Sequence, residues 1–159
     1  MDDQHRIEAA ASGGVHFVLP PAERELLLQL RAELLSLLES APDDPSLERL
    51  FPPAYDDGRR DAEYHRLMDD ELMDGRRDDL DVMGVTAGQD KLSPPEADAW
   101  LRALTDLRLV LGTRLDVTED MDLAELDSRG PRAHGLAIYA YLSWLQEQLV
   151  EAIAGGLER

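Results

Sequence analysis

The side chains in this sequence that could do chemistry are mostly carboxylates. Asp69, Asp70 and Glu71 stand in a row, and neighbouring carboxylates can act as acid and base when burial raises one pKa. His65 lies four residues before Asp69, a spacing that puts two metal ligands on one helix face, but no second pair accompanies it. The acidic stretch 116–127 lacks the Asp-x-Asp-x-Asp-Gly order of a calcium loop. Because charge runs are usually solvated, we expect no metal site and no cofactor.

The motifs of covalent catalysis and phosphate binding are missing from the sequence. It contains no Cys, and none of its serines lies in a Gly-x-Ser-x-Gly elbow. The sequence lacks the Gly-x-x-x-x-Gly-Lys-Ser/Thr loop of P-loop nucleoside triphosphatases. It also lacks the Gly-x-Gly-x-x-Gly turn of dinucleotide-binding folds. We therefore predict that the protein is not an enzyme.

Arg108 is a basic residue in an apolar setting, within the run Leu-Arg-Leu-Val-Leu at 107–111. If its guanidinium is buried it needs a carboxylate partner, since an unpaired buried charge costs several kcal/mol. It could instead extend to solvent or, with Arg114, hold an anionic group in a pocket. An internal ion pair predicts that Arg108→Leu destabilises the protein.

Length and charge limit the classes of protein to consider. The chain has 159 residues and a formal charge of −18, and its length suits one domain over residues 1–159. No apolar run reaches the roughly 18–20 residues of a membrane span, and Met-Asp-Asp is not the start of a secretory signal, so we expect a soluble cytoplasmic protein. Its negative charge repels phosphate backbones. Direct DNA binding is therefore disfavoured, and we expect the acidic excess to serve mainly solvation rather than a partner site.

Composition favours helices. Leu and Ala supply 46 residues, whereas the β-branched Val and Ile supply only 10. The exception is the N-terminus, where Ser-Gly-Gly at 12–14 suggests a tight turn and apolar residues alternate after it. We predict a mainly α fold: a helical bundle over residues 21–156 with a small N-terminal β-hairpin at residues 5–19.

The helix boundaries follow from Pro, Gly and capping residues. Pro20-Pro21 opens a helix at 22–40, whose wide leucine band implies burial on two sides, either as a central core helix or as a dimer-forming helix. A short turn at 46–50 precedes a helix at 59–82, which Gly75 could interrupt, and a loop at 84–93. A Ser93–Glu96 capping box opens the next helix, and Gly-Pro at 130–131 opens the last one, which Gly-Gly at 155–156 closes.

Five segments together resemble an actinobacterial family of unknown function whose studied branch is the AosR-like oxidative-stress transcriptional regulators. They are LFPPAY at 50–55, DAEYHRL at 61–67, DEL at 70–72, WLRAL at 100–104 and DLRLVLGTRL at 106–115. The resemblance implies a helical cytoplasmic regulator that acts on transcription through a protein partner such as a sigma factor. The genes of the family tend to lie near the gene of the ClpS protease adaptor. As an alternative, the resemblance therefore implies an accessory role in ClpS-linked proteolysis.

The resemblance also marks candidate residues and one departure. Thiol redox sensing cannot be carried over to a chain without Cys, although methionine oxidation at Met68, Met73 or Met83 could substitute. A small-ligand binder or enzyme that uses Arg108 and nearby carboxylates is the remaining alternative. The matched positions form either a partner-binding surface or a structural network; they are Tyr55, Tyr64, Arg66, Asp70, Glu71, Arg108 and Arg114.

Overall fold

The structure is a computed structural model that describes residues 5–50, 59–117 and 132–157, apart from the side chains of residues 59–66, 69 and 157. Its helices are α1 (Pro21–Ser40), a 3₁₀ helix (Pro45–Leu50), α2 (Arg59–Thr86), α3 (Pro94–Arg114) and α4 (Ala133–Leu157). The predicted mainly α fold is confirmed. Each helix in these residues is too short or too polar to cross a lipid bilayer.

The predicted N-terminal hairpin is present and belongs to a three-stranded antiparallel sheet. β1 (Ile7–Ala9) pairs with β2 (Val15–Phe17), and Gly13 and Gly14 adopt φ angles of 92° and 75° in the connecting turn. Glycine suits such positive φ values because it lacks a Cβ atom. β3 (Lys91–Leu92) then pairs with β2. The sequence interpretation wrongly placed β3 in a loop, because a strand of two residues has no recognisable periodicity.

Three other boundaries differ from their predictions. α2 continues through Gly75 and past residue 82 to Thr86, so the predicted interruption and the early loop are wrong. α4 likewise runs through both glycines at 155–156 to Leu157. A glycine inside a helix costs only about 1 kcal/mol relative to Ala, which packing of the remaining turns can offset.

The capping box is confirmed: Glu96 N–H donates to Ser93 Oγ and Ser93 N–H to the Glu96 carboxylate.

The helix at the centre of the core is α3, not α1 as the leucine band predicted. α3 packs against α2, α4 and the 3₁₀ helix, whereas α1 lies mainly against α2. Trp100 of α3 is fully buried, meets Phe17 edge to face at 4.6 Å between ring centroids, and donates its indole N–H to Thr86 Oγ1. In α1 the buried leucines are Leu27, Leu34 and Leu38. Its other leucines are half-buried, and a dimer formed by this helix stays a prediction.

Candidate functional site

The outward side of α2 carries a row of exposed carboxylates with an apolar residue at each end. At 100° per residue its members fall within an arc of about 100°, and the row is roughly 27 Å long. We call this surface the α2 face; its exposed residues are Leu67, Asp70, Glu71, Asp74, Asp78, Asp81 and Val85. The solvent side of α2 therefore combines a row of negative charges with one exposed apolar residue at each end.

The carboxylates of the α2 face are largely without ion-pair partners. Asp81 lies 3.6 Å from the guanidinium of Arg31 on α1. In the described part of the chain, no ion pair reaches Asp70, Glu71, Asp74 or Asp78. Such a one-signed row produces a negative potential that attracts cationic surfaces and accelerates their association.

The two apolar ends of the α2 face are unusually open to solvent. Leu67 is 66% exposed and Val85 is 78% exposed. Single exposed apolar residues are common on protein surfaces. Here, however, they are separated by 18 residues, which is five helical turns, so both point in the same direction as the carboxylates. A partner that covers the row would bury both.

An open groove of about 420 Å³ separates the α2 face from α3, and Glu71 and Asp78 line its α2 side. Within the groove, Arg102 of α3 forms a bidentate ion pair with Asp79 of α2, with Nε 3.0 Å from Oδ2 and Nη2 3.0 Å from Oδ1. The hydrogen bonds to Asp79 raise the pKa of Arg102 above its already high value, so this guanidinium stays charged. The groove thus combines two carboxylates that have no ion-pair partner among the described residues with an ion pair that links α2 and α3.

A buried ion pair between Arg76 of α2 and Asp106 of α3 also links the two helices. Arg76 donates as well to the carbonyl oxygen of Leu50, so it holds the 3₁₀ helix against α3. Burial raises the pKa of Asp106, and the attraction of Arg76 opposes this shift without cancelling it. The Asp106 side chain is only 4% exposed, which makes the pair part of the core.

Sequence reasoning missed Asp106 although a signal for it existed. Asp106 follows Ala99 and Ala103 and precedes Val110 at spacings of three or four, and all three alanine and valine positions are buried. A carboxylate in a core register of a helix needs a buried partner. The apolar run at 107–111 pointed instead to Arg108, which is half-buried.

The structure separates the predicted site residues that it describes. Asp70 and Glu71 lie on the α2 face. Arg108 is half-buried, with its guanidinium carbon 6.0 Å from the ring centroid of Tyr139 on α4, and the described residues include no carboxylate within ion-pair distance of it. Arg114 is exposed and lines a shallow apolar groove between α1 and α3. These residues therefore do not form one cluster.

Several predicted positions lie outside the described residues. Tyr55 is one, and the side chains of Tyr64 and Arg66 are two more. The His65–Asp69 pair and most of the acidic stretch 116–127 fall in the same category. Of the methionines, Met83 is fully buried, whereas Met68 and Met73 are half-buried.

The features of this site that could bind another molecule are the carboxylates of the α2 face and the open groove beside them. Within the described side chains, no three His, Asp or Glu residues converge in a way that could hold a metal ion. The groove beside the α2 face is open to solvent and lined by fixed or solvated charges. This arrangement suits recognition of a cationic, partly apolar surface.

Comparisons with known proteins place the chain in a family. The model of DUF2017, a domain of unknown function, matches residues 4–153. The oxidative stress regulator AosR of Mycobacterium tuberculosis H37Rv is 32% identical over 72% of this chain and 60% of that protein, and the AosR of Mycobacterium bovis gives the same values. A Mycobacterium leprae protein that also carries the AosR name is 30% identical over 93% of this chain and 86% of its own. No solved structure is similar enough to count as a match.

Proposed function

Because the chain belongs to the DUF2017 family and resembles proteins named as oxidative stress regulators, we propose that it is a regulatory protein without enzymatic activity. It acts by binding another protein, and the α2 face is the surface that binds. The observation that carries this proposal is a row of carboxylates between two exposed apolar residues, and four of these carboxylates have no ion-pair partner among the described residues. A structural role alone would not require Leu67 and Val85 to face solvent.

The chemistry of the α2 face defines the kind of partner. A basic surface flanked by apolar residues would match it, as on a sigma factor that regulates transcription. Long-range attraction between the two surfaces speeds their encounter and is screened over about 10 Å at 0.1 M salt. Binding should therefore weaken as the salt concentration rises. Direct DNA binding is disfavoured because the net charge is −18.

Charge-matched variants of the full chain test the proposal. The triple variant Asp70→Asn, Asp74→Asn, Asp78→Asn neutralises the centre of the α2 face. A control variant, Glu25→Gln, Glu39→Gln, Glu151→Gln, changes the net charge equally at exposed positions of α1 and α4. Each tagged protein is crosslinked in its own cells and captured, and sigma factors, polymerase subunits and ClpS are quantified by mass spectrometry.

We expect the wild-type protein and the control variant to recover the same partner, and the α2 triple variant to lose it. Recovery of sigma factor or polymerase supports transcriptional regulation, whereas recovery of ClpS supports the proteolytic alternative. Equal recovery by all three proteins would exclude the α2 face as the binding surface. Pairing Leu67→Ser with Val85→Ser tests its apolar ends, and Val150→Ser, which is 46% exposed on α4, is the control.

A further inference from the structure

A second concave surface lies at the end of the molecule where the hairpin turn meets α3 and α4. It is a partly open cavity of about 290 Å³ between Gly13 and Gly14 of the turn, the first turn of α3 and the last turns of α4. We call it the turn notch. Its volume is at the lower limit for small-molecule sites and is sufficient for one large side chain. Its lining is mainly apolar, with Ala97 and Ala152 on its helical walls.

The turn notch has fixed walls and free space at its edges. A Cβ atom on Gly14 would lie 2.1 Å from the carbonyl oxygen of Leu92, so the turn is held tightly against β3. By contrast, a Cβ atom on Gly156 would meet nothing within 4 Å. A Cβ atom on Gly13 would likewise meet nothing within 4 Å, so a side chain added at either glycine has open space around it.

Among the described residues that line the turn notch, the charged side chain and the helix end are both negative, which favours a cation. Asp98 is the charged residue among its lining side chains, and it is exposed. The last turn of α4, around Gly156, brings the negative end of a helix dipole. The positive end of α3 is compensated, because Ser93 and Glu96 cap it. Lys91 is not one of the lining residues, and its ammonium group donates to the hydroxyl of Ser12 on the hairpin turn.

We propose that the turn notch is an anchor pocket for one bulky apolar side chain that stands next to a Lys or Arg residue in a partner polypeptide. The apolar side chain fills the cavity, and the adjacent cation lies against Asp98 and the end of α4. Buried anchors of this kind contribute a large share of the binding energy in many protein interfaces. This inference rests on the proposed function, since it adds a second contact to the same regulatory interaction.

Three capped dipeptides probe the turn notch directly. Acetyl-Phe-Arg-amide, acetyl-Phe-Glu-amide and acetyl-Gly-Arg-amide are titrated into the ¹⁵N-labelled full chain, and the amide signals of Gly13, Gly14 and Gly156 are followed by NMR. We expect saturable shifts with the first dipeptide and roughly fivefold weaker binding of the second, which corresponds to about 1 kcal/mol for an exposed charge pair. The third should give no saturable shift at these glycines. Equal binding of the first and third, or no shift with any of them, overturns the proposal.

Two variants connect the shifts to the turn notch. Gly156→Leu fills the cavity and should abolish the binding of acetyl-Phe-Arg-amide, whereas Gly88→Ala, at another glycine with open space, should not. Asp98→Asn changes an exposed position and should reduce the preference for Arg over Glu even if Gly156→Leu fails to fold. Unchanged binding and preference in these variants would exclude the turn notch.

The same dipeptides separate this inference from the proposed function. The α2 triple variant keeps the turn notch and should bind acetyl-Phe-Arg-amide like the wild type. If dipeptide binding fails in every protein but the α2 triple variant still loses its partner, the anchor pocket is wrong and the proposed function stands. If dipeptides bind but all charge variants capture the same partner, the α2 face is wrong instead.

Discussion

The two sides of α2 treat their charges in opposite ways. On the side that meets α3, Arg76 and Asp79 each have a partner of opposite charge, Asp106 and Arg102. On the α2 face, four carboxylates have no ion-pair partner among the described residues. Among the described residues, a single helix thus presents paired charges to its own fold and, apart from Asp81, carboxylates without ion-pair partners to solvent.

This difference separates residues that hold the fold from residues that are free for recognition. Charges in the interior must be paired, because removing one partner leaves the other desolvated. Charges on the surface contribute little to stability whether or not they are paired. Substitutions on the inner side should therefore change the free energy of unfolding, and those on the α2 face should change binding alone.

The largest effect is expected for Asp106→Ala. It removes the Asp106 carboxylate that pairs with Arg76, whose side chain is only 20% exposed. Breaking a buried pair in this way costs about 3–5 kcal/mol, and the value should lie near the lower limit because Arg76 keeps its bond to Leu50. Urea unfolding at neutral pH measures the loss. If the free energy of unfolding falls by less than about 1 kcal/mol, the Arg76–Asp106 pair does not stabilise the fold as expected.

A smaller effect is expected for Arg102→Ala. Asp79 is nearly buried and loses a two-pronged partner, but the Arg102 side chain is 60% exposed, so solvent already screens the interaction. We expect the free energy of unfolding to fall by about 1 kcal/mol. Arg102→Lys keeps the charge without the paired geometry and should recover part of the loss. If Lys and Ala give equal losses, the geometry rather than the charge is what stabilises.

The pH dependence of stability provides a finer test of the inner side. Because burial raises the pKa of Asp106 above its ordinary 3.8, the folded protein binds this proton more tightly than the unfolded chain does. The resulting stabilisation is present below the unfolded pKa and is lost as the pH rises through the folded pKa. Asp106→Asn cannot titrate. The free energy of unfolding of the wild type relative to Asp106→Asn should therefore fall as the pH rises, and urea unfolding at several pH values measures it. A difference that increases with pH would show that Arg76 outweighs burial.

The smallest effect is expected on the α2 face. The triple variant Asp70→Asn, Asp74→Asn, Asp78→Asn removes charges that repel one another and have no ion-pair partner in the described residues. Its thermal unfolding midpoint should equal that of the wild type or rise slightly. A clear decrease would show that these carboxylates support the fold, and the contrast between the two sides of α2 would disappear.

Local signals in the sequence predicted local structure well. The Gly-rich turn and the Ser93–Glu96 capping box each specify a backbone conformation through residues close in the chain, and both are confirmed. The central helix was misjudged because the leucine count of α1 does not reveal which neighbours cover it. α3 achieves more burial with small residues such as Ala99 and Ala103, which allow helices to approach closely.

The candidate site was predicted only in part, for a related reason. Asp70 and Glu71 were identified, and the structure places them on the α2 face. The resemblance did not mark Asp74 and Asp78, although the predicted helix at 59–82 already put them on the same face as Asp70 at spacings of four residues. The partner of Asp106 lies 30 residues away on another helix, so no local pattern could have indicated Arg76.

The first strand depends on the last helix. The side-chain oxygen Oε1 of Gln148 on α4 accepts hydrogen bonds from the backbone N–H groups of Arg6 and Ile7, with N–O distances of 2.7 and 3.1 Å. More than 140 residues of chain separate these partners. During synthesis, which proceeds at about 5–20 residues per second, the hairpin must therefore wait several seconds on the ribosome before α4 can cover it. Until then its apolar strands are available to chaperones.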